Sequence, residues 1–387
     1  MHQECNKFLK TFKLRYPIVQ APMAGVTTPE MAFAVAARGG MGSLSLSHVN
    51  LQKKSAVLEI GKALNVFLAE KGAVNAQNVN LNFFCHPIYP RPTTSQKENW
   101  KKLYSKILGS EELGTGFRFD NGNVSFQTIE TKENLDILKS LLAFFQNKFT
   151  PGVISFHFGC PSSHFIEELK KLGISVFVTV TNEFEGEQVL KFGVDGIVCQ
   201  GYEAGGHRGR FPDTDAKYDE CLSTLCLFKK LKQLKVKLGS ESFLIPAGGI
   251  MDSQTIQFYL DQGASACQLG TAFLAAKESQ SCRFFRNLIN SDDRKCTLMT
   301  PLPSGLPART LLTPFIEKLV NLSHDEDLPP YGYRYSEFKS LRSKFPAMVD
   351  FNLCGQGVNQ MEMGRDECLS SQEILSNLAQ GLFIHQE

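Results

Sequence analysis

One histidine in a glycine-rich segment has the side-chain type and the setting for proton chemistry. The segment Gln200–Gly209 follows a short apolar run and contains an amide at its start, four glycines and His207. Glycines let a loop fold closely over a ligand, and imidazole has the side-chain pKa best suited to a general base near neutrality. We therefore take His207 as the candidate catalytic residue. Arg208 is interpreted as solvated and receives no role.

A second histidine, His157, lies at the end of another apolar run and could face the same cavity. A metal site formed with Cys160 and His164 is conceivable, but the spacing matches no strong zinc pattern. Cys160 could also act as a nucleophile, although nothing near it in the sequence activates a thiol. A histidine that lines the core or the cavity is the simpler interpretation.

Two glycine-containing turns could hold an anion. The segments Ala247–Ile250 and Gln268–Thr271 each end an apolar run with glycine, namely Gly248, Gly249 and Gly270. Backbone N–H groups at such turns can approach a phosphate closely, especially where a helix begins just beyond them. The same glycines could instead serve only tight turns, but two such segments at consecutive strands favour phosphate.

Two further segments could contact a flat ring. Pro22 and Met23 lie in the Gln20–Pro29 loop, which two prolines stiffen and which could pack beside a ring or simply form a turn. Asn82 projects from an apolar run, where its amide could hydrogen-bond a ring carbonyl or nitrogen. Capping of the next loop is an equal alternative for Asn82.

The elements that must position these residues alternate between short apolar runs and amphipathic stretches, such as Glu183–Phe192 and Ser253–Gln262. This alternation is typical of a parallel sheet, and eight such runs favour a closed (β/α)₈ TIM barrel with its active site at the carboxyl ends of the strands. The predicted strands are Ile18–Pro22, Gly42–Leu46, Val79–Phe84, Val153–Phe158, Ile174–Val180, Gly196–Gln200, Phe243–Ala247 and Ala266–Gly270.

The region after the eighth run departs from this pattern. It is rich in Pro and Tyr and has no clear strands, so we expect a C-terminal α-helical insertion or cap over the barrel mouth. The predicted division is a barrel over residues 1–280, a cap over 281–345, and a segment over 346–387 that returns to the barrel. The last segment includes an amphipathic helix within Cys368–Phe383.

Composition excludes several classes of function. The chain has 387 residues and a formal net charge of +2, which gives no reason to expect nucleic acid or an anionic membrane surface as partner. Eleven cysteines occur without a CxxC pair, which is typical of reduced thiols rather than a disulfide framework. Met1–Lys10 lacks a signal-peptide core, and no apolar run is long enough to span a bilayer. A soluble cytoplasmic protein is expected.

In this order, the motifs resemble those of the class I nitronate monooxygenases, which are FMN-containing barrels. The resemblance extends from Gln20 to about Gln356 and includes Ser304–Arg309 and Gly355–Gly357, whereas Leu353 and Cys354 stand where the family pattern has an aromatic residue. Pro329–Tyr335 is family-like but is not assigned a role. By resemblance, His207 is the catalytic histidine, Pro22 and Met23 lie near the flavin ring, and the remaining FMN contacts are Asn82, Gln200, Gly205, Gly248, Gly249, Gln268, Leu269, Gly270 and Thr271.

The resemblance implies oxidation of alkyl nitronates by FMN and O₂ to a carbonyl product and nitrite. Propionate 3-nitronate and neutral nitroalkanes are possible substrates, no metal is expected, and a homodimer is possible. FMN rather than FAD follows from the resemblance alone. One enzymatic alternative is an FMN-dependent NAD(P)H:quinone or enoyl-thioester reductase, because related barrels share the phosphate signals. A flavin-binding protein without turnover is the non-enzymatic alternative, which the intact His207 segment disfavours.

Overall fold

The eight apolar runs form eight parallel strands in a computed structural model, which describes residues 3–69, 74–109, 113, 116–120, 124–289, 291, 295–323, 327–361 and 368–383. The predicted barrel is therefore confirmed. In chain order, the strands of the described residues are β1 Ile18–Gln20, β2 Gly42–Ser45, β3 Val79–Phe84, β4 Val153–His157, β5 Ser175–Val180, β6 Gly196–Gln200, β7 Gly206–His207, β8 Phe243–Ala247, β9 Cys267–Leu269, β10 Thr297–Thr300 and β11 Ala308–Leu311.

The sheet is nearly closed into a barrel. Its strand order is β1-β9-β8-β6-β5-β4-β3-β2, and a parallel bridge between Val19 and Met41 brings its two edges together. The Gln20 side chain strengthens this junction, since its Oε1 accepts a hydrogen bond from Ser43 N at 3.0 Å. Because all eight strands are parallel, their carboxyl ends meet at one end of the barrel.

Most strands are followed by a helix whose first turn is capped by a polar side chain. Thr28, Ser162, Asn182, Ser223 and Asp252 each accept a backbone N–H three residues ahead, which satisfies a donor at the helix start. The α-helices are α1 Gln3–Phe12, α2 Pro29–Arg38, α3 Ala56–Ala63, α4 Asn65–Ala69, α5 Thr94–Leu108, α6 Leu135–Asn147, α7 Ser163–Lys171, α8 Glu183–Lys191, α9 Thr224–Lys237, α10 Ser253–Asp261, α11 Cys282–Ile289, α12 Pro314–Leu322, α13 Tyr333–Lys344 and α14 Ser371–Ala379.

The first helix covers the amino end of the barrel. Phe8 packs edge-on against Phe243 at a centroid distance of 5.2 Å, and Phe12 packs edge-on against Phe177 at 5.7 Å. All four rings are buried. Because aromatic side chains fill this end, the opposite end, where the predicted site residues lie, is left for ligands.

The region over the barrel mouth is helical as predicted, but it also contains strands that the sequence analysis did not identify. Strands β10 and β11 form an antiparallel pair, and β11 pairs in turn with the two-residue strand β7. In that register Ala308 lies opposite His207. The region is therefore attached to the glycine-rich segment by backbone hydrogen bonds as well as by side-chain packing.

A second hydrophobic cluster, separate from the barrel core, lies in this region. It combines Trp100 and Tyr104 of α5 with Ile316 of α12 and Phe338 of α13. The cap therefore draws its core from the connection between β3 and β4 as well as from residues after 281. The division of the chain into barrel, cap and returning segment at residues 280 and 345 stays a prediction from the sequence.

Two properties of the described residues bear on the cellular setting. All eleven cysteines are free thiols. None of the helices in the ranges given above is long and apolar enough to cross a membrane.

We expect Gly42→Ala to destabilise the barrel, because a Cβ on Gly42 overlaps the carbonyl group of Ala32. Overlap with backbone cannot be relieved by a rotamer change, so the cost should be on the order of 1–3 kcal/mol. Urea unfolding of the purified variants measures it.

The matched control is Gly61→Ala in α3, where the nearest atom to the added Cβ is on the Phe144 ring at 3.6 Å. Alanine is favoured over glycine in a helix, so the midpoint of unfolding of this variant should lie at the same urea concentration as that of the wild-type protein, or higher. Equal destabilisation of both variants would contradict the steric argument.

Candidate active site

The backbone of His207 is held by two barrel strands. Its carbonyl oxygen accepts a hydrogen bond from His157 Nε2 at 3.2 Å and another from Gln200 Nε2 at 3.0 Å. The same Gln200 side chain accepts from Gly209 N through Oε1 at 2.7 Å. His157 ends β4 and Gln200 ends β6, so the segment that carries His207 is fixed to the carboxyl end of the barrel.

The imidazole of His207 is positioned from the other side by Ser304. The Ser304 hydroxyl donates to Leu306 O at 3.0 Å, and its Oγ lies 2.9 Å from His207 Nε2. With its one hydrogen on Leu306 O, the hydroxyl accepts from Nε2, and we assign the imidazole proton to Nε2 on this basis. This assigns the lone pair to Nδ1, which has no hydrogen-bond partner among the residues that the structure describes.

Aromatic rings surround this imidazole. Tyr335, Tyr331 and Phe158 lie at centroid distances of 5.3, 5.7 and 5.7 Å from the His207 ring, and Phe351 lies at 6.3 Å. Burial among these rings, and next the charges of His157 and Lys339, lowers the pKa of His207 to about 3. The imidazole is therefore neutral at physiological pH, with a free lone pair.

The two histidines have different roles in this arrangement. Burial lowers the pKa of His157 to about 4, and a neutral His157 that donates from Nε2 to a carbonyl acts as a fixed support. Lys339 brings a positive charge to the same side, with its Nζ 4.3 Å from the centroid of the Tyr335 ring. An anion bound beside His207 would therefore be attracted to Lys339.

The interpretation of Arg208 as solvated is wrong. Its side chain is 2% exposed and forms an ion pair with Asp219 at 2.6 Å, with a second bond from Nε to the same carboxylate at 2.7 Å. It also donates to the carbonyl oxygens of Gln200 and Thr181, both at 3.3 Å. Arg208 thus holds the segment after β6 in place through a bidentate ion pair with Asp219.

The glycine turns after β8 and β9 lie side by side, because Ala247 pairs with Gln268. The backbone N–H groups of Gly248, Gly249, Gly270 and Thr271 donate no hydrogen bond to any described residue. Gly248 has φ +120°, and a Cβ there would lie 2.9 Å from both Ala204 N and Thr224 Oγ1. Four free donors, in a cradle whose close approach at Gly248 requires glycine, fit a phosphate group.

The same cradle contacts two other segments. Thr271 Oγ1 accepts a hydrogen bond from Gly355 N at 2.8 Å, and a Cβ on Gly205 would overlap the backbone at Cys354 and Gly355. Gly205 therefore allows the segment after β6 to pack closely against residues 354–355.

The remaining predicted cofactor contacts lie at the same end of the barrel. Asn82 donates to Ser155 Oγ at 3.0 Å, and its Oδ1 has no partner among the described residues. Met23 Sδ is 3.5 Å from where a Cβ of Gly270 would be, and Pro22 precedes it. Gln268 and Leu269 lie in β9, at its carboxyl end. Gln200 differs from the others, because both ends of its amide are already engaged within the chain.

No role was predicted for Ser304, Phe158, Lys339, Tyr331 or Tyr335. The family-like character of 304–309 and 329–335 was the signal for Ser304 and the two tyrosines, whereas Phe158 and Lys339 lie outside those segments. Within the described part of the chain, no three His, Cys, Asp or Glu side chains are grouped as metal ligands. A surface cleft of about 540 Å³ lined by Phe228, Lys232 and Gln262 lies on the outer helices and is separate from this site.

A family model described as nitronate monooxygenase matches residues 6–381 of the chain. A putative nitronate monooxygenase of Saccharomyces cerevisiae is 45% identical over 366 residues, which are 93% of this chain and 89% of that protein. A nitronate monooxygenase of Paraburkholderia phytofirmans is 36% identical over 346 residues, 87% of this chain and 84% of that protein.

A solved structure supports the same relationship. The nitroalkane oxidase of Streptomyces ansochromogenes superposes with a TM-score of 0.74 at 26% identity, and the match covers 96% of this chain and 97% of that one.

We expect the stability of the protein to fall as the pH is lowered from 7 to 5. His157 and His207 stay neutral in the folded state, with pKa values lowered to about 4 and about 3, whereas both bind protons near pH 6.5 when unfolded. The contribution of the two neutral histidines to the free energy of unfolding is therefore fully present above pH 6.5. It falls below that pH, by about 1–2 kcal/mol per histidine at pH 5. Urea unfolding at the two pH values measures this.

His157→Gln and His207→Gln should each remove part of that pH dependence, whereas the exposed His164→Gln serves as the control and should not. An unchanged pH dependence in both variants would show that other groups are responsible.

Proposed function

The chain belongs to the nitronate monooxygenase family, and from this premise we propose that it uses FMN and O₂ to oxidise alkyl nitronates to a carbonyl product and nitrite. Propionate 3-nitronate is included among the proposed substrates, as are neutral nitroalkanes after loss of a proton. The observation that carries the proposal is the juxtaposition of a neutral, buried His207 with the glycine cradle at one end of the barrel.

The residues of the cradle fit the phosphate of a flavin mononucleotide. Gly248, Gly249, Gly270 and Thr271 would hold the phosphate with their free N–H groups, and Asn82 Oδ1 would accept from an N–H of the ring. Pro22 and Met23 would lie beside the ring. When bound, the flavin supplies the redox chemistry, accepting electrons from the substrate and passing them to O₂. Gln200 would act chiefly by holding His207.

His207 would handle the proton of a neutral nitroalkane. Because Nε2 is hydrogen-bonded to Ser304, Nδ1 is the atom that would take the α-proton, through its lone pair. An imidazole with a lowered pKa is a weak base, but proton transfer creates an imidazolium beside an anionic nitronate. The attraction between these two charges would raise the pKa of the imidazole as the proton is transferred. Lys339 would further stabilise the anion.

Four further points belong to this proposal. We propose FMN rather than FAD, a cytoplasmic location, and a homodimer. Eleven free thiols support a reducing compartment. The proposed division of labour is a flavin-binding barrel over 1–280, a substrate-side cap over 281–345 and a returning segment over 346–387.

The direct test is to purify the protein, identify the released flavin by mass, and mix the holoenzyme with ethyl nitronate while following O₂ and nitrite. We expect a yellow protein that releases FMN on denaturation, consumes O₂ and produces nitrite. A colourless protein that FMN cannot reconstitute would overturn the cofactor assignment. Inertness to nitronate, with rapid anaerobic bleaching by NAD(P)H, would instead identify a flavin reductase.

We expect His207→Asn to reduce kcat/KM for neutral nitroethane by about 10²- to 10⁴-fold, the usual contribution of a general base. The loss for preformed ethyl nitronate should be far smaller, because that substrate needs no proton removal. Asn has no basic nitrogen, and its shorter side chain also gives up the contact of Nε2 with Ser304. Steady-state kinetics on both substrates measure the difference.

The exposed His164→Asn is the matched control and should leave both reactions unchanged. Equal losses on the two substrates for His207→Asn would contradict proton abstraction by His207.

A further inference from the structure

Two cysteines far apart in sequence meet on the side of the barrel. Cys282 begins α11, and Cys368 lies shortly before α14. Their sulfur atoms are 2.6 Å apart, across a sequence separation of 86 residues. This is well inside the contact distance of two non-bonded sulfur atoms, so nothing lies between them. Both residues are half-buried, which leaves the pair open to a small solute.

The backbones on either side of the two cysteines are held together independently of the sulfurs. Lys277 N donates to Leu369 O at 2.8 Å. The carboxylate of Glu278 accepts from Ser371 N at 2.9 Å and from Ser371 Oγ at 2.8 Å. Segments 277–282 and 368–371 therefore run side by side, and a covalent bond between the sulfurs requires little movement of the backbone.

The position of the pair gives such a bond a consequence. The chain between Cys282 and Cys368 includes β10, β11, α12 and α13, and therefore Ser304 and Tyr335 of the site. Segment 277–282 also contacts the loop after β1, where Gln280 N donates to Val26 O at 3.0 Å. The two cysteines thus mark where the chain leaves the barrel and where it returns.

We propose that Cys282 and Cys368 form an oxidation site for hydroperoxides, at which a disulfide joins the two ends of the stretch that carries Ser304 and Tyr335. This inference does not rest on the proposed function, because it needs only the two thiols and a peroxide. Failure of the proposed nitronate oxidation and failure of disulfide formation can therefore be distinguished by experiment.

The reaction balances with one hydroperoxide for each pair of thiols. The Cys368 thiol loses its proton, and the thiolate attacks one peroxide oxygen. The O–O bond breaks, and the alkoxide or hydroxide that is expelled takes up that proton and leaves as an alcohol or water. The sulfur of Cys282 then attacks the resulting sulfenic acid, the S–S bond forms, and water leaves with the thiol proton. We assign the second step to Cys282 because it donates its hydrogen bond to the Cys368 sulfur, and because burial raises its pKa to about 12.

The disulfide should stabilise the protein by restricting the unfolded chain, since the loop that it closes is long. The other cysteines are less suited to such a reaction. Cys221 and Cys296 are exposed but have no second sulfur in contact among the residues that the structure describes, and Cys85, Cys199 and Cys267 are fully buried.

The test treats the full-length protein, as purified, with hydrogen peroxide and maps peptides by mass spectrometry without reduction. We expect one linked pair of peptides containing Cys282 and Cys368, reversed by dithiothreitol. The melting temperature of the oxidised protein should rise by several degrees. The rise should disappear in Cys282→Ser and Cys368→Ser, and it should persist in Cys221→Ser, the matched control.

Mapping of the wild-type protein decides the matter even if a serine variant folds poorly. Sulfinic or sulfonic acids at Cys282 and Cys368 without a linked peptide would overturn the proposal, as would disulfides confined to other cysteines. So would a rise in melting temperature that survives in Cys368→Ser.

Discussion

The site depends on a single carbonyl group, that of His207, which accepts hydrogen bonds from His157 on β4 and Gln200 on β6. Both donors come from the carboxyl ends of barrel strands, so the position of the histidine is set by the most rigid part of the fold. A carbonyl with two donors uses its full capacity, and loss of either donor would leave one of the two acceptor sites of this buried oxygen unfilled. The barrel thereby fixes the carbonyl group of His207, and the pairing of β7 with β11 holds the same backbone from the side of the cap.

The cap then fixes the side chain. Strand β11 pairs with β7, and the turn between β10 and β11 delivers Ser304 to the imidazole. The same region supplies Tyr331 and Tyr335, whose rings exclude water from His207. Desolvation disfavours the charged imidazolium, so the low pKa of His207 is a direct result of cap packing. The barrel and the cap therefore control different properties of one residue: the barrel controls where it lies, and the cap controls its tautomer and its charge.

The sequence predicted the barrel well because its signals are local. The bounds of Val79–Phe84, Gly196–Gln200 and Phe243–Ala247 agree with the structure residue for residue, since buried parallel strands appear as short apolar runs between turns. Strands β10 and β11 were missed because each is only four residues long and neither is an apolar run. Strand β11 also pairs with a two-residue strand about 100 positions away, which no local pattern reveals. The burial of Arg208 was missed for the same reason, since its partner Asp219 is visible as a partner only in the folded chain.

The glycine-rich segment after β6 serves two sites at once, and its backbone explains how. Gly205 packs against the turn at Cys354 and Gly355, close to the phosphate cradle, whereas His207 enters β7 and faces the aromatic rings. Gly206 lies between them with φ +76°, a backbone conformation that residues other than glycine rarely adopt. The chain can therefore reverse direction within one residue. Because the contact of Gly205 and the imidazole of His207 are separated by so short a link, neither can shift without displacing the other.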